Sequence, residues 1–493
     1  MTTFHNYIGG RWVDTAPGRR FENINPATGE ALGLFPRSST EDVRKAVDAA
    51  EQAFTEWRLM PAPKRGEILF QAGQLLVERK EEVARDMTRE MGKVLKEARG
   101  DVQEAIDMAF FAAGEGRRLL GTTSPPELPN KFGMSVRMPI GVVGIITPWN
   151  FPMAIPSWKI FPALVAGNTI VFKPARYTPH SAYNFVKTLE DAGLPGGVLN
   201  LVFGYADEVG DPLVADPRVG LISFTGSTSV GTKLATECPK TQKRVSLEMG
   251  GKNAITVLDD ADVDLAIDGI LWSAFGTTGQ RCTAGSRVIV HRAVVDELTE
   301  KLVARTNKLR LGNGLDETVD VGPVVNENQL DTVHRYTEIG LAEGATLLCG
   351  GERATDGDLA KGFFYRPTLF GNVKPTMRIA QEEIFGPSTA IIPVDSFEEA
   401  IQVNNGTLYG LSSSIYTRDV NRAFAAMRDL YTGIVYVNSG TIGAEIHYPF
   451  GGTKGTGNGH REAGQTLLDA FTEWKTIYVD FSGRLQKAQI DRG

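Results

Sequence analysis

The sequence predicts an α/β protein with a Rossmann-like, doubly wound parallel sheet, a second α/β domain and a small hairpin-and-strand element. Three observations carry this. Short apolar runs at 141–146, 169–173, 198–203, 219–224 and 244–247 alternate with helical patterns near 152–166, 179–192, 206–215 and 228–237. Strand–helix alternation at this spacing makes a parallel sheet with helices on both faces. The runs are apolar throughout, as strands covered on both faces are. The alternation then restarts after Asn253. Strands are expected at 254–258, 286–291, 389–393, 412–416 and 433–437, and helices at 261–274, 293–308, 327–343, 396–404 and 418–429.

From the start of the chain, residues 7–13 read as a short edge hairpin turning at Gly9-Gly10. Ser39 and Asp42 form a capping box, behind which Val43, Ala46, Val47, Ala50, Phe54 and Trp57 keep helical spacing. A second helix covers 62–91, with Ile68, Ala72, Leu75, Leu76, Val83 and Met87 inward, and a third runs from about Val94 to Leu120. The mixed charge on these helices is expected to solvate their outer faces. Residues 125–137 lack helical pattern and read as the start of a protruding hairpin. Thr476-Ile-Tyr-Val479 reads as a terminal strand, which often pairs outside its own domain, including on another subunit.

Composition narrows the function classes. The 493 residues carry a net charge of -7, with 42% hydrophobic and 23% charged residues. That acidic balance argues against nucleic-acid binding, which needs a basic face. Three cysteines (Cys238, Cys282, Cys349) lie far apart without metal-ligand spacing, so neither a disulfide framework nor a metal site is expected, and a reducing, cytoplasmic setting is. The N-terminus has no basic start before an apolar core, so no signal peptide is expected. Residues 138–172 are apolar enough to raise a membrane span, but Pro139, Pro148, Pro152, Pro156 and Pro162 interrupt them. Buried strands and a helix are the better reading, and no membrane partner is expected.

Several stretches carry chemistry. Cys282 stands in Gly-Gln-Arg-Cys-Thr, beside Arg281. A nearby cation raises the thiolate fraction, and thiolate is the nucleophile, although a free cysteine is also a common packing residue. Ser223-Phe-Thr-Gly-Ser-Thr-Ser-Val-Gly231 runs from strand into helix, and Gly226 and Ser227 stand where backbone N–H groups can hold a phosphate. The plain alternative is an N-cap by Ser227. Asn150, in Ile-Thr-Pro-Trp-Asn-Phe-Pro, can donate to an oxyanion or satisfy its own turn. Glu248 ends an apolar strand before Gly250-Gly251; burial there would raise its pKa and suit it to act as a base. Glu383, in Glu-Glu-Ile-Phe-Gly-Pro, suits a sugar hydroxyl pair or is a surface acid, and Lys173 and Arg176 end a strand where a ribose or phosphate would meet them.

In order, Pro-Trp-Asn-Phe-Pro, Lys-Pro-Ala, Phe-Thr-Gly-Ser, Leu-Glu-Met-Gly-Gly-Lys, Gly-Gln-Arg-Cys, Glu-Ile-Phe-Gly-Pro and Pro-Phe-Gly-Gly-Thr-Lys resemble the aldehyde dehydrogenase superfamily. The likeness covers essentially the whole chain. It implies that Cys282 attacks the aldehyde carbon to give a thiohemiacetal, and that Asn150 and the Cys282 N–H hold the oxyanion. Hydride leaves to NAD or NADP, and Glu248 activates the water that hydrolyses the thioester. It further implies Lys173 and Arg176 at the adenosine ribose, Gly226 and Ser227 at the pyrophosphate, and Glu383 at the nicotinamide ribose. Pro148, Trp149 and Phe385 would border the cofactor. Phe151, Trp158, Arg281, Thr283 and Phe450 would line the aldehyde tunnel, with His447 in the neighbouring loop.

Two departures bear on specificity. NAD-selective relatives often carry Glu where Arg176 stands, so the 2′-phosphate of NADP is expected to be accepted. Relatives specific for succinic semialdehyde tend to carry Arg where Trp158 stands, so that substrate is disfavoured, while Arg281 or His447 remains a candidate anchor for a carboxylate tail. Arg281 is thus open to two roles, activating the thiol or meeting the substrate. Relatives that transfer the acyl group to coenzyme A tend to lack the acid present as Glu248, which disfavours that alternative; a non-catalytic relative would be expected to lose Cys282 or Glu248. The implied organisation is a dinucleotide-binding domain from 1–121 and 141–251, a catalytic domain from 252–452, an oligomerisation element from 122–140 and 473–493, and a return to the cofactor domain at 453–472. Homodimers or homotetramers are implied.

Overall fold

A computed structural model describes residues 1–490. Its first large sheet has seven strands in the spatial order Arg244–Glu248, Val219–Thr225, Val142–Ile146, Thr169–Lys173, Leu199–Leu201, Asn6–Ile8, Arg11–Val13. The first five run parallel, and the N-terminal hairpin adds antiparallel to the edge at Leu201↔Tyr7. Gly9 and Gly10 turn that hairpin with φ of 61° and 81°, where glycine carries no Cβ penalty. Every residue of Thr169–Lys173 is buried, as an apolar run in a sheet covered on both faces requires. Full burial of Ile170, Val171 and Phe172 contributes about 1.5–3 kcal/mol each relative to exposure.

The order of connections positions the site. From Val142–Ile146 the chain winds outward through Thr169–Lys173 and Leu199–Leu201, then returns to the other side for Val219–Thr225 and Arg244–Glu248. The reversal falls between Val142–Ile146 and Val219–Thr225, and ligands of doubly wound sheets bind outside the carboxyl ends of the strands at such a point.

The second seven-stranded sheet runs Thr346–Cys349, Thr368–Gly371, Ser388–Val394, Gly285–His291, Asn253–Val257, Ser412–Tyr416, Ile434–Val437, parallel except for the first. All five strands expected after Asn253 are present; Thr346–Cys349 and Thr368–Gly371 are additional. The expected third helix is Leu95–Glu115, ending before Leu120, and the segment near 206–215 divides into a π-turn at Ala206–Gly210 and an α-helix at Asp211–Ala215. At the first helix, the Ser39 N–H donates to Asp42 Oδ2 at 2.9 Å, closing the expected capping box.

The protruding hairpin consists of Thr122–Ser124 and Lys131–Pro139. The terminal strand, Thr472–Asp480, pairs antiparallel along all of Lys131–Pro139 in the same chain and forms the outer edge of that three-stranded sheet. Residues 463–471 return to the first core, where Ala463, Leu467, Leu468, Ala470 and Phe471 are buried.

One expectation is overturned by the third helix. Its charges do not all face solvent. Glu97 and Asp101 are buried beside Lys93, and the Lys93 Nζ to Asp101 Oδ2 pair, at 2.8 Å, has both side chains at 0% exposure. Buried charges persist only when paired and hydrogen-bonded. Asp101 Oδ1 also accepts the Ala154 N–H at 2.7 Å, fastening this helix to the start of Ala154–Ala166.

Candidate active site

Four strand ends converge at the sheet reversal. Val142–Ile146 leads into Pro148, Trp149 and Asn150; Val219–Thr225 into Gly226 and Ser227; Arg244–Glu248 ends on Glu248; and Thr169–Lys173 ends on Lys173. From the second sheet come Cys282, just before Gly285–His291, and Glu383 and Phe385, just before Ser388–Val394. Two adjoining cavities result, and Cys282 lines both.

The first cavity is bordered by Pro148, Trp149, Asn150, Gly226, Ser227, Glu383 and Phe385. The Trp149 and Phe385 rings meet edge to face at 5.4 Å. Ser227 Oγ accepts the Val230 N–H at 3.4 Å as the N-cap of Thr228–Glu237, so the capping role is present at the mouth of this cavity. Glu383 Oε1 accepts the Gly251 N–H at 2.9 Å; a Cβ on Gly250 would collide with this carboxylate and one on Gly251 with the Cys282 carbonyl, which explains the paired glycines. Burial pushes Glu383 up to about 7, opposed by that N–H and by Lys252. Lys252 is itself buried with no hydrogen-bond partner for Nζ among the described residues, and burial with Arg287 pushes it down to about 7.

Lys173 and Arg176 do not border this cavity; they stand at the neighbouring strand end. Lys173 Nζ donates to the Pro174 carbonyl at 3.0 Å, and burial with the Arg176 charge pushes it down to about 8. The Arg176 guanidinium lies over Tyr177 and Tyr205, at 4.6 and 4.7 Å from the ring centroids, and donates to the Tyr177 hydroxyl at 2.6 Å. The groups present fit a dinucleotide: a helix N-terminus for the pyrophosphate, cations at one end, and rings with an acid at the other.

The second cavity is lined by Phe151, Trp158, Arg281, Thr283 and Phe450, as expected, and by Ala154, Ile155, Glu248, Glu462 and Glu104. The Trp158 and Phe450 rings meet at 4.9 Å. His447 is not among the lining residues: it is exposed, with its ring tilted by 42° against Tyr448 at 4.3 Å and 3.5 Å from Glu445. Glu104 had no motif to mark it; its only signal is its spacing from Glu97 and Asp101 on one helix face.

Between the cavities, Asn150 Nδ2 donates to the Gln280 carbonyl at 3.0 Å, which fixes the amide beside Cys282 and leaves its second N–H available. The Cys282 N–H has no hydrogen-bond partner among the described residues. Burial, Glu248 and Glu383 push the Cys282 thiol up to about 12, opposed by the Thr283 N–H and by the Arg281 charge. The Arg281 charge favours the thiolate without offsetting burial. Its guanidinium is held by Thr277 Oγ1 at 2.9 Å and Glu97 Oε1 at 3.2 Å, and lies over the Phe151 ring at 5.1 Å.

Glu248 is buried, with Oε1 lacking any hydrogen-bond partner among the described residues. Burial and the neighbouring Glu462 carboxylate raise its pKa well above the usual range, opposed by Lys159, which is paired with Glu462. Lys159 and Glu462 are further groups to which the sequence reading assigned no role. Such an arrangement supplies a thiol, a base with a high proton affinity and two N–H donors around one point.

Residues 12–477 match the family model described as "Aldehyde dehydrogenase family". The chain is 42% identical over 480 residues to the alpha-ketoglutaric semialdehyde dehydrogenase of Bacillus subtilis, covering 97% of this chain and 98% of that one. It is 39% identical over 473 residues to the glutarate-semialdehyde dehydrogenase of Pseudomonas putida, covering 96% and 97%. Among solved structures it resembles a putative aldehyde dehydrogenase from Burkholderia cenocepacia (TM-score 0.96, 35% identity, 99% of each chain). It also resembles betaine aldehyde dehydrogenase from Staphylococcus aureus crystallised with NAD+ (TM-score 0.95, 34% identity, 98% and 96%).

Proposed function

The chain belongs to the aldehyde dehydrogenase family, whose members are oxidoreductases acting on aldehydes, and from that premise we propose that Cys282, Asn150 and Glu248 perform the oxidation here. The observation that carries the reading is the position of Cys282 on the wall shared by the two cavities. A nucleophile there reaches an aldehyde on one side while the group formed faces a dinucleotide on the other.

Glu248 is the base. Its raised proton affinity suits it to take the proton of a thiol that burial holds protonated. Cys282 Sγ then bonds to the aldehyde carbon, and the free Asn150 N–H and the Cys282 N–H meet the oxyanion. A bound nicotinamide supplies the hydride acceptor; Pro148, Trp149, Glu383 and Phe385 would hold it, with Gly226 and Ser227 at its phosphates. After passing that proton to solvent, Glu248 takes a proton from the water that cleaves the Cys282 thioester, releasing the acid and returning the thiolate.

An aldehyde bearing a second polar group is the favoured substrate class, supported by Arg281 in the cavity wall and by the semialdehyde names of the relatives. Both NAD and NADP are accepted, with Lys173 and Arg176 toward the ribose end. Residues 1–121 with 141–251 form the cofactor domain, rejoined at 453–472, and 252–452 the catalytic domain, in line with the two large sheets. Subunits join as homodimers or homotetramers through 122–140 and the strand after 473, where Phe132, Trp474 and Tyr478 are exposed; 491–493 lie outside the described residues. Three unpaired cysteines support a cytoplasmic setting. The test is an aldehyde panel, aliphatic, aromatic and carboxylated, run with each cofactor. Free acid is the expected product, and a strict need for coenzyme A would refute the hydrolytic route.

A further inference from the structure

The aldehyde cavity holds polar groups that the chemistry at Cys282 leaves unused. Its wall is largely apolar, with Phe151, Ala154, Ile155 and Phe450. Set into that wall are the Glu104 carboxyl, the Arg281 guanidinium and Trp158, whose indole Nε1 is buried without a hydrogen-bond partner. The Glu104 side chain has no hydrogen bond or ion pair among the described residues. Both cations near it are engaged by other acids, Lys93 by Asp101 and Arg281 by Glu97. Arg281 uses Nε and Nη2 in its bonds to Thr277 and Glu97, which leaves Nη1 without one.

Resting on the aldehyde dehydrogenase reading of this cavity, we infer that Glu104 determines substrate specificity: with Arg281 and the Trp158 N–H, it receives the oxygen atoms of an aldehyde whose far end carries a carboxylate. Buried donors without partners disfavour a purely apolar occupant and are satisfied by an oxygen-bearing one. A cationic tail is the competing possibility, because an acid among aromatic rings also attracts cations. Here the Phe151 ring already carries Lys93 at 3.8 Å and Arg281 at 5.1 Å, so a third cation would meet two others.

The protonation of Glu104 gives the idea a handle. Burial and Asp101 push it up to about 8, with Arg281 and Lys93 opposing and Asp107 adding to the rise. Tyr436 faces it from the second sheet, and Cys282, Glu248 and Glu462 share the cavity. Below that pH the carboxyl offers an O–H to the substrate carboxylate. Above it the donor is lost and a negative charge faces the tail. The pH dependence of the kcat/KM ratio between two substrates, set against the same ratio in a Glu104→Gln variant, isolates Glu104.

The experiment compares glutarate semialdehyde with pentanal, of equal chain length, and with a trimethylammonium aldehyde, on the full-length enzyme and its Glu104→Gln and Glu104→Leu variants. The unmodified enzyme is expected to favour glutarate semialdehyde, with a preference that declines as pH rises through 8. Glu104→Leu is expected to raise KM for that substrate by about tenfold, the loss of one hydrogen bond to a charged group, while KM for pentanal stays the same or falls. Glu104→Gln retains a donor, so it is expected to keep the preference and lose its pH dependence. Equal effects on both aldehydes, a preference insensitive to pH in the unmodified enzyme, or better turnover of the trimethylammonium aldehyde would each overturn the inference while leaving the family activity standing. Turnover of no aldehyde at all would overturn the underlying reading as well.

Discussion

Arg281 Nη2 donates to Glu97 Oε1 at 3.2 Å, and the same Glu97 carboxylate accepts the Thr277 backbone N–H at 2.9 Å. One buried acid thus holds both the residue beside the nucleophile and the turn before it. Thr277 and Thr278 have φ of 51° and 58°, a left-handed conformation costing a β-branched residue of order 1–3 kcal/mol. The contact to Glu97 is one of those that keep this strained turn in place.

Glu97→Ala is therefore expected to destabilise the protein by about 3–5 kcal/mol, the usual effect of stripping one partner from a buried pair. Urea denaturation measures it. Glu97→Gln, which still accepts the Thr277 N–H, is expected to cost less. In both variants kcat should fall further than the loss of folded protein accounts for, because Cys282 is carried by the same turn.

The pH profile of kcat reports on Glu248. Its proton affinity is raised by burial and by Glu462, so the rate is expected to climb with pH through a value well above the ordinary carboxylate range. Glu462→Gln removes the raising charge and leaves Lys159, so the rise should move to lower pH; Lys159→Met should move it higher. A profile unmoved by either variant would show that the pair does not act on Glu248.

Arg176 sits on the Tyr177 and Tyr205 rings at the ribose end of the cofactor site. Arg176→Glu is expected to lower kcat/KM with NADP about tenfold or more, the worth of a charge-assisted contact to a phosphate, and to spare or improve NAD. Steady-state kinetics with both cofactors decide it.

Much of this site was legible in the sequence because its groups sit at strand ends, where apolar runs stop at polar residues: Lys173, Gly226 and Glu248 each end or follow such a run. Thr346–Cys349 and Thr368–Gly371 escaped notice because they are four residues long, among glycine and proline turns. The inward acids on Leu95–Glu115 were hidden for a different reason. Charge on a helix ordinarily means solvent, and the partner that makes Glu97 tolerable inside, Arg281, is 184 residues away. His447 shows the converse, since nearness in sequence to Phe450 did not bring it into the cavity.

The central claim is that Cys282 forms the covalent intermediate and Glu248 releases it. Mass spectrometry of the Glu248→Gln variant, mixed with aldehyde and oxidised cofactor, tests this most directly. The expected result is an acyl group on the peptide containing Cys282, together with a single turnover of reduced cofactor. Cofactor reduction at the normal rate by a Cys282→Ala protein, or an unmodified Cys282 peptide after that turnover, would contradict it.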